Sequence, residues 1–341
     1  MSINPAVIEI FTFAAVAFCL AMVLTPLWTH ILYKYKMSKK LREVAWDNTS
    51  AAIYLKLHES KANTPTMGGV LIWGTAALLT LSLNLSRSQT WLPVFTLIVC
   101  GILGAIDDYM NIRGYSKVKG LNAKTKFLFQ FLIAGAGAWW FVDKLDFNSI
   151  NIPIIGAFGM DPVWMVGPLV YAVLFVLTVV FISNAVNITD GLDGLAAGTL
   201  ATAFGSFALI SFVQGRIGLA VFCATILGAL LAFLWFNIHP ARFFMGDTGS
   251  LSLGATLAVV AMLTDSLFIL PIIGFVFVAE GLSSLLQRFS KKYFGRKIFI
   301  SAPVHHHFEA LGWPETKVTM RFWVISAVMA VIGITISLIG S

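Results

Sequence analysis

From residue 7 onward, apolar runs of about 20 residues alternate with short polar stretches along the whole chain. Runs of this length match the hydrocarbon core of a bilayer, because a helix rises about 1.5 Å per residue. Ten are present, at 7–27, 66–85, 91–107, 126–142, 163–182, 194–213, 217–236, 249–264, 267–287 and 321–339. The stretches between them leave no room for a large soluble domain, and no internal repeat or low-complexity segment interrupts them. The pattern predicts an all-α polytopic membrane protein of about ten transmembrane helices, folded as one integral-membrane domain over residues 1–341.

Composition agrees. Of 341 residues 58% are hydrophobic and only 11% charged, against about 25% charged in a soluble domain. Cys19, Cys100 and Cys223 fall inside apolar runs and read as small packing residues. No basic residue precedes the first run, which therefore reads as an uncleaved helix.

The formal net charge of +7 raises nucleic acid as a partner, but its distribution excludes that reading. Only Arg87, Lys144 and Arg216 fall in one set of alternating loops; the other 20 of the 23 Lys and Arg fall in 28–65, 107–126, 237–248 and 288–321. Such asymmetry marks the basic loops as cytoplasmic. Ten spans then put both termini outside.

With sides assigned, the acids can be sorted. Asp143, Asp146, Asp161 and Asp265 lie outside and take no special role. Glu309 and Glu315 lie inside among basic residues, as a solvated loop face. Asp107 and Asp108 end the third run, Asp190 and Asp193 follow the fifth, and Asp247 precedes the eighth. Each alone has a plain reading as a turn residue or helix cap. Together, three cytoplasmic span ends bring acids beside small residues. Carboxylates are the ligands that Mg²⁺ prefers, usually one or two of them together with substrate phosphates. Glu280 lies within the ninth run. It suits an ion pathway, as in a secondary transporter, or a hydrogen-bonded core carboxyl.

The basic loops supply the complementary half. "SKANTPTMGG" (60–69) offers Lys61, Thr64 and Thr66, and "KVKGLNAKTK" (117–126) offers Lys119, Lys124 and Lys126. A cation, lysines and glycine-rich turns suit a diphosphate, since phosphoryl transfer depends on positioning and charge neutralisation. The positive-inside rule alone also accounts for the side on which these lysines lie. "SAPVHHHFE" (301–309) holds three consecutive histidines. Adjacent side chains cannot all meet one tetrahedral zinc; His305, His306 and His307 are instead donors to phosphate or sugar oxygens.

"TPTMGG", "GAIDDY", "NAVNITDGLDGLAAG", "LWFN", "FMGDTGSLSLG" and "APVHHHFE" follow one another in this order. Together they closely resemble the phospho-N-acetylmuramoyl-pentapeptide transferases, from about residue 50 to the C-terminus. The aspartate motifs alone resemble the wider polyprenyl-phosphate hexosamine-1-phosphate transferases; "APVHHHFE", "GWPE" and "RFW" favour the muramoyl-pentapeptide branch. The resemblance implies transfer of phospho-N-acetylmuramoyl-pentapeptide from its UDP carrier to undecaprenyl phosphate in the bacterial inner membrane. It also implies release of UMP, a requirement for Mg²⁺ and an active site on the cytoplasmic face.

It further implies Asp247 as Mg²⁺ ligand and Asp107 and Asp108 as a catalytic pair. Asn187, Asp190, Gly191, Leu192, Asp193, Asn237 and Phe244 resemble a uridine-side pocket, with Phe244 stacking on uracil. Lys61, Thr66, Lys126, Gln287, His305 and His306 resemble contacts to phosphate, sugar or nucleoside. The resemblance implies a bent ninth helix, an amphipathic segment after it at the lipid surface (288–299) and a homodimer. Asn63 and Asn111 depart from the family pattern, where Gly and Lys are usual, and the upstream acidic-His element is rearranged as "LHESK". The nearest rival is the same chemistry on UDP-N-acetylglucosamine; a secondary transporter is the rival of a different class. Acids at span ends and the lack of a repeat argue against a transporter.

Overall fold

Each of the ten apolar runs forms helix in the computed structural model, which describes residues 4–38, 61, 63–114, 120–156 and 160–339. In chain order the long helices are α1 (Pro5–Lys34), α2 (Gly69–Leu83), α3 (Trp91–Arg113) and α4 (Ala123–Lys144). Then come β1 (Ser149–Asn151), the single-turn α5 (Pro153–Gly156), β2 (Val163–Met165), α6 (Pro168–Thr189), α7 (Leu195–Val213), α8 (Ile217–Asn237) and α9 (Gly246–Leu263). The chain closes with the short α10 (Leu270–Ile273), α11 (Phe275–Phe294), α12 (Val304–Ala310) and α13 (Glu315–Ile339). Among the described residues, eight helices are long and apolar enough to cross a membrane: α1, α3, α4, α6, α7, α8, α9 and α13. The protein is thus an α-helical, polytopic membrane protein.

Three boundaries differ from the apolar pattern, each for a local reason. The run 163–182 does not begin as helix. Val163–Met165 pairs antiparallel with Ser149–Asn151, placing Ile150 opposite Trp164, so the fold carries one small hairpin that the all-α expectation lacked. Helix α6 starts at Pro168, whose fixed φ and missing N–H suit the first helical position. The run 267–287 breaks at Gly274 into α10 and α11, and α11 continues to Phe294, stopping at Gly295 in the left-handed region. Phe289, Tyr293 and Phe294 on it are exposed, as a segment lying at a lipid surface requires. Finally, α2 has 15 residues, short for an independent span.

Helix α9 is the centre of the bundle. Buried residues make up 94% of its apolar window, against 11% for α1, which lies at the periphery on α8. Helices α3 and α6 pack along α9, with α2 and α7 also against it. Lipid supplies no hydrophobic force between helices, so close approach and interhelical hydrogen bonds must hold them. Both are present. Gly104 of α3 lies so close to α9 that a methyl group there would overlap the Asp247 carbonyl. The Thr248 hydroxyl donates to Gly101 O at 2.8 Å, and Ser183 of α6 donates to Leu251 O at 3.0 Å. Trp73 Nε1 of α2 donates to Thr248 Oγ1 at 3.1 Å. These bonds fix the rotation of α9, and so fix where its first turn presents Asp247.

Candidate active site

One end of the bundle gathers nearly every charged group that the sequence singled out. There α3 carries Asp107 and Asp108 near its C-terminal end, and α4 has Lys126 in its first turn. The turn between α6 and α7 carries Asp190 and Asp193; α8 ends at Asn237, and α9 begins with Asp247. Antiparallel succession through short turns brings these ends together.

Lys126 is clasped between two of the acids. Its Nζ lies 2.8 Å from Asp107 Oδ2 and 2.6 Å from Asp247 Oδ2. The other oxygen of Asp107 accepts from Leu121 N at 2.6 Å. Asp107 and Asp247 therefore already converge on one positive charge. Their oxygens are the hard donors that Mg²⁺ takes, and the chain offers two such carboxylates where Mg²⁺ commonly needs one or two. The residues fit the ion. Lys124 is exposed two positions earlier, and Lys119 lies outside the described residues.

Asp108 does different work from its neighbour. It is fully buried, and its Oδ2 accepts from Thr248 N at 3.1 Å. Asp190 Oδ2 accepts from Gly246 N at 3.1 Å. Two carboxylates from α3 and the α6–α7 turn thus cap the N-terminus of α9, where unsatisfied N–H groups and the helix dipole favour negative charge. Gly246 itself has φ +76°, and a side chain there would meet both Asp108 Oδ2 and the buried Thr66 hydroxyl at 2.5 Å. Asn187 Nδ2 donates to Ser250 Oγ at 2.8 Å on the same first turns of α9.

A second cluster forms around Asp193. Lys61 Nζ donates to Asp193 Oδ1 at 2.7 Å and to Glu315 Oε1 at 2.5 Å. Glu315 Oε1 also accepts from Asp193 N at 2.6 Å. His239 Nδ1 and Ala241 N each lie 3.0 Å from Asp193 Oδ2. Ligand-type atoms of Asp193, His239 and Glu315 lie within 4.8 Å of one another, and the Lys61 ammonium bonds two of the three. Phe244 is half-buried beside it, with Lys61 Nζ 5.8 Å from its ring centroid. Leu192 and Asn237 are buried beneath. Asn237 Oδ1 accepts from Gly194 N at 3.1 Å and its Nδ2 donates to Phe243 O at 3.0 Å, tying the two turns together.

The histidine helix α12 docks from the side. His305 is fully buried, with its ring on Glu280 and its Nε2 against Gly191, where a Cβ would collide with it. His306 Nδ1 pairs with Glu309 Oε2 at 2.6 Å. Gln287 is buried on α11. Its Oε1 accepts from Ile298 N and Phe299 N, each at 3.0 Å, and its Nε2 donates to Phe299 O at 2.9 Å. It clamps the segment after α11.

Sequence reasoning missed Glu315 and His239. Glu315 was expected on a solvated loop face, yet its side chain is only 11% exposed and bonds both Lys61 and Asp193. The one local signal was "WPE": a proline followed by an acid at the start of an apolar run, as at a helix N-terminus. His239 carried no signal beyond standing before Pro240.

Residues 90–265 match Glycosyl transferase family 4, and residues 61–72 match phospho-N-acetylmuramoyl-pentapeptide-transferase signature 1. The first span carries the clasp, and the second carries Lys61 and Thr66. The chain is 41% identical over 341 aligned residues to the phospho-N-acetylmuramoyl-pentapeptide-transferase of Chloroflexus aggregans, covering 96% of this chain and 89% of the relative. To the enzyme of the same name from Geobacillus thermodenitrificans it is 39% identical over 327 residues, covering 94% of this chain and 96% of the relative. With that identity sustained from one end to the other, and with the signature falling on the Lys61–Thr66 turn, the chain belongs to the phospho-N-acetylmuramoyl-pentapeptide transferase family.

Proposed function

We infer that this protein transfers phospho-N-acetylmuramoyl-pentapeptide from its UDP carrier to undecaprenyl phosphate, releasing UMP and forming the first lipid-linked intermediate of peptidoglycan. It does so in the bacterial inner membrane, at the end of the bundle that carries the acids and most of the Lys and Arg. The positive-inside rule makes that end cytoplasmic. Counting α2 and the broken α10–α11 pair as spans gives ten, with both termini outside. A homodimer belongs to the same reading.

The observation that carries it is the clasp of Lys126 between Asp107 and Asp247. It is the kind of site a phosphoryl group needs, where opposite charges are preorganised and held in place by helix ends. Ile106 and Phe127, the residues next to Asp107 and Lys126, are exposed and apolar. A lipid phosphate can therefore reach the polar site while its chain stays in hydrocarbon. Bound Mg²⁺, held by Asp247 with Asp107 nearby, would supply charge neutralisation for the diphosphate. Lys126 orients phosphate oxygens, and Asp107 positions the lipid phosphate or takes its proton. Asp108 and Asp190 hold the first turn of α9, and with it Asp247, in place. Lys61, Asp193 and Phe244 form the nucleoside end, with the half-buried Phe244 ring as a stacking surface. Thr66, Asn187, Gly191, Leu192, Asn237, His305 and His306 line or support the space between the two ends.

The test is direct. Purified protein receives Mg²⁺, undecaprenyl phosphate and either UDP-N-acetylmuramoyl-pentapeptide or UDP-N-acetylglucosamine, and UMP release is followed. Release with the first donor alone is expected. Release with the second alone would move the protein to the N-acetylglucosamine branch, and release with neither would overturn the reading.

A further inference from the structure

We propose that Glu315 is a positioning residue for the nucleotide end of the site, acting through Lys61 and Asp193. The inference rests on the reading of Lys61, Asp193 and Phe244 as that end.

Four segments distant in sequence meet at one carboxylate pair. Glu315 stands in the first turn of α13, Asp193 in the α6–α7 turn, His239 in the α8–α9 turn, and Lys61 ahead of α2. Glu315 Oε1 accepts two hydrogen bonds, from Lys61 Nζ and from Asp193 N. One oxygen thus fixes both a side chain and the backbone of the residue that bonds that side chain. A lysine ammonium has three donors. Two are committed, to Asp193 Oδ1 at 2.7 Å and to Glu315 at 2.5 Å. The two carboxylates therefore set the direction of the third, in a site where the Phe244 ring centroid lies 5.8 Å from Nζ. Lys61 is 13% and Asp193 2% exposed at the side chain, so little solvent competes.

This placement gives Lys61 a task other than neutralising phosphate. Two of its three donors are already taken by carboxylates. What it retains is one aimed N–H for an acceptor on the group that lies on Phe244, a base carbonyl or a ribose oxygen. Removing the Glu315 charge leaves Lys61 with Asp193 alone and frees the Asp193 turn to shift. Affinity for the nucleotide should fall, and affinity for the lipid acceptor should not, because Lys126 is held by Asp107 on α3 and Asp247 on α9, whereas Glu315 holds Lys61 and the α6–α7 turn.

The test uses Glu315→Gln in the full-length protein, with UMP binding by calorimetry and steady-state kinetics for both substrates. Expected are a loss in UMP affinity of about tenfold, a matching rise in the KM for UDP-N-acetylmuramoyl-pentapeptide, and a KM for undecaprenyl phosphate within about twofold. Glu315→Asp, which keeps the charge but withdraws it by one methylene, should lose less. Lys61→Met with Glu315→Gln should lose less UMP affinity than the sum of the two single losses, since Glu315 acts in part through Lys61. A purely structural role predicts a lower melting temperature with both KM values unchanged or raised equally, and additive losses in the double variant. Either result overturns the proposal. If the unmodified protein binds no uridine nucleotide, the underlying reading fails and this inference with it; wild-type binding with an unchanged Glu315→Gln affinity overturns the inference alone.

Discussion

Nδ1 of His305 lies 2.8 Å from Oε2 of Glu280, and neither side chain has measurable exposure to solvent. Oε1 of the same carboxylate accepts from the His305 backbone N at 3.2 Å. An acid in the middle of an apolar run is thereby committed to docking the histidine helix α12 onto α11. That is the role of a hydrogen-bonded core carboxyl and leaves the ion-pathway reading of Glu280 without support.

Stability follows from this pair. Glu280→Ala would orphan a ring nitrogen and a backbone N–H in a dry site, at about 1–3 kcal/mol for each group. Glu280→Gln keeps an acceptor for the backbone and a partner for the ring, and should lose much less. Melting of the two variants in detergent checks the order; equal melting temperatures would show that the contact contributes nothing.

Asp107 and Asp108 are adjacent in sequence and should separate in experiment. Asp108 caps α9 through Thr248 N, while Asp107 bonds Lys126 and Leu121 N. Loss of a helix cap costs about 0.5–2 kcal/mol. Asp108→Ala should therefore lower the melting temperature as well as turnover. Asp107→Asn should cut turnover with stability close to wild type. Equal destabilisation by both would refute the division.

Asp247 carries the metal prediction. Asp247→Asn keeps the size of the side chain and the first turn of α9, and should abolish turnover without unfolding the protein. It should also remove the part of nucleotide-induced thermal stabilisation that depends on Mg²⁺. A fully active variant would place the ion elsewhere.

Phe244 is the proposed stacking surface. Stacking of a base on an aromatic ring is worth about 1–3 kcal/mol. Phe244→Ala should weaken nucleotide binding roughly tenfold or more and leave the KM for undecaprenyl phosphate unchanged. Unaltered UMP affinity would move the base to another surface.

How much of this the sequence disclosed depends on the type of interaction. The helices were legible because each is an apolar run long enough to be read alone. Asp107, Lys126 and Asp247 were legible as charges at span ends, although nothing in the sequence showed that one lysine bridges the two acids. Tertiary hydrogen bonds were not legible. Asp108 reads as one of a catalytic pair and Asp190 as part of a nucleoside pocket, and nothing in the sequence shows that both accept from N–H groups at the start of a helix that neither belongs to. Gln287 reads as a substrate contact, and nothing in the sequence shows that it also bonds the backbone of residues 298 and 299. Glu315 looked like loop surface, because its burial depends on three segments folding over it. The β1–β2 hairpin was lost inside an apolar run, since Val163–Met165 is apolar for either structure and only Pro168 marks where helix begins.

Asp265 gives a prediction at the opposite end of the bundle, in the turn after α9. Burial there pushes its carboxyl up from the ordinary 3.8 to about 6, and Arg216 opposes the shift only in part. The folded protein thus holds a proton that the unfolded chain releases near pH 4. Between those two values stability must fall as pH rises, because the folded state binds more protons than the unfolded one. Above about pH 6 the full cost of a buried charge is present. Asp265 also has φ +51°, a region that Asn tolerates as well as Asp does, so Asp265→Asn removes the charge without straining the turn. The variant should melt at a higher temperature than wild type at pH 8, and the gap should close as pH falls to 4. A gap of constant size at both pH values would mean that the side chain is not ionising against burial and that the turn is stabilised in some other way.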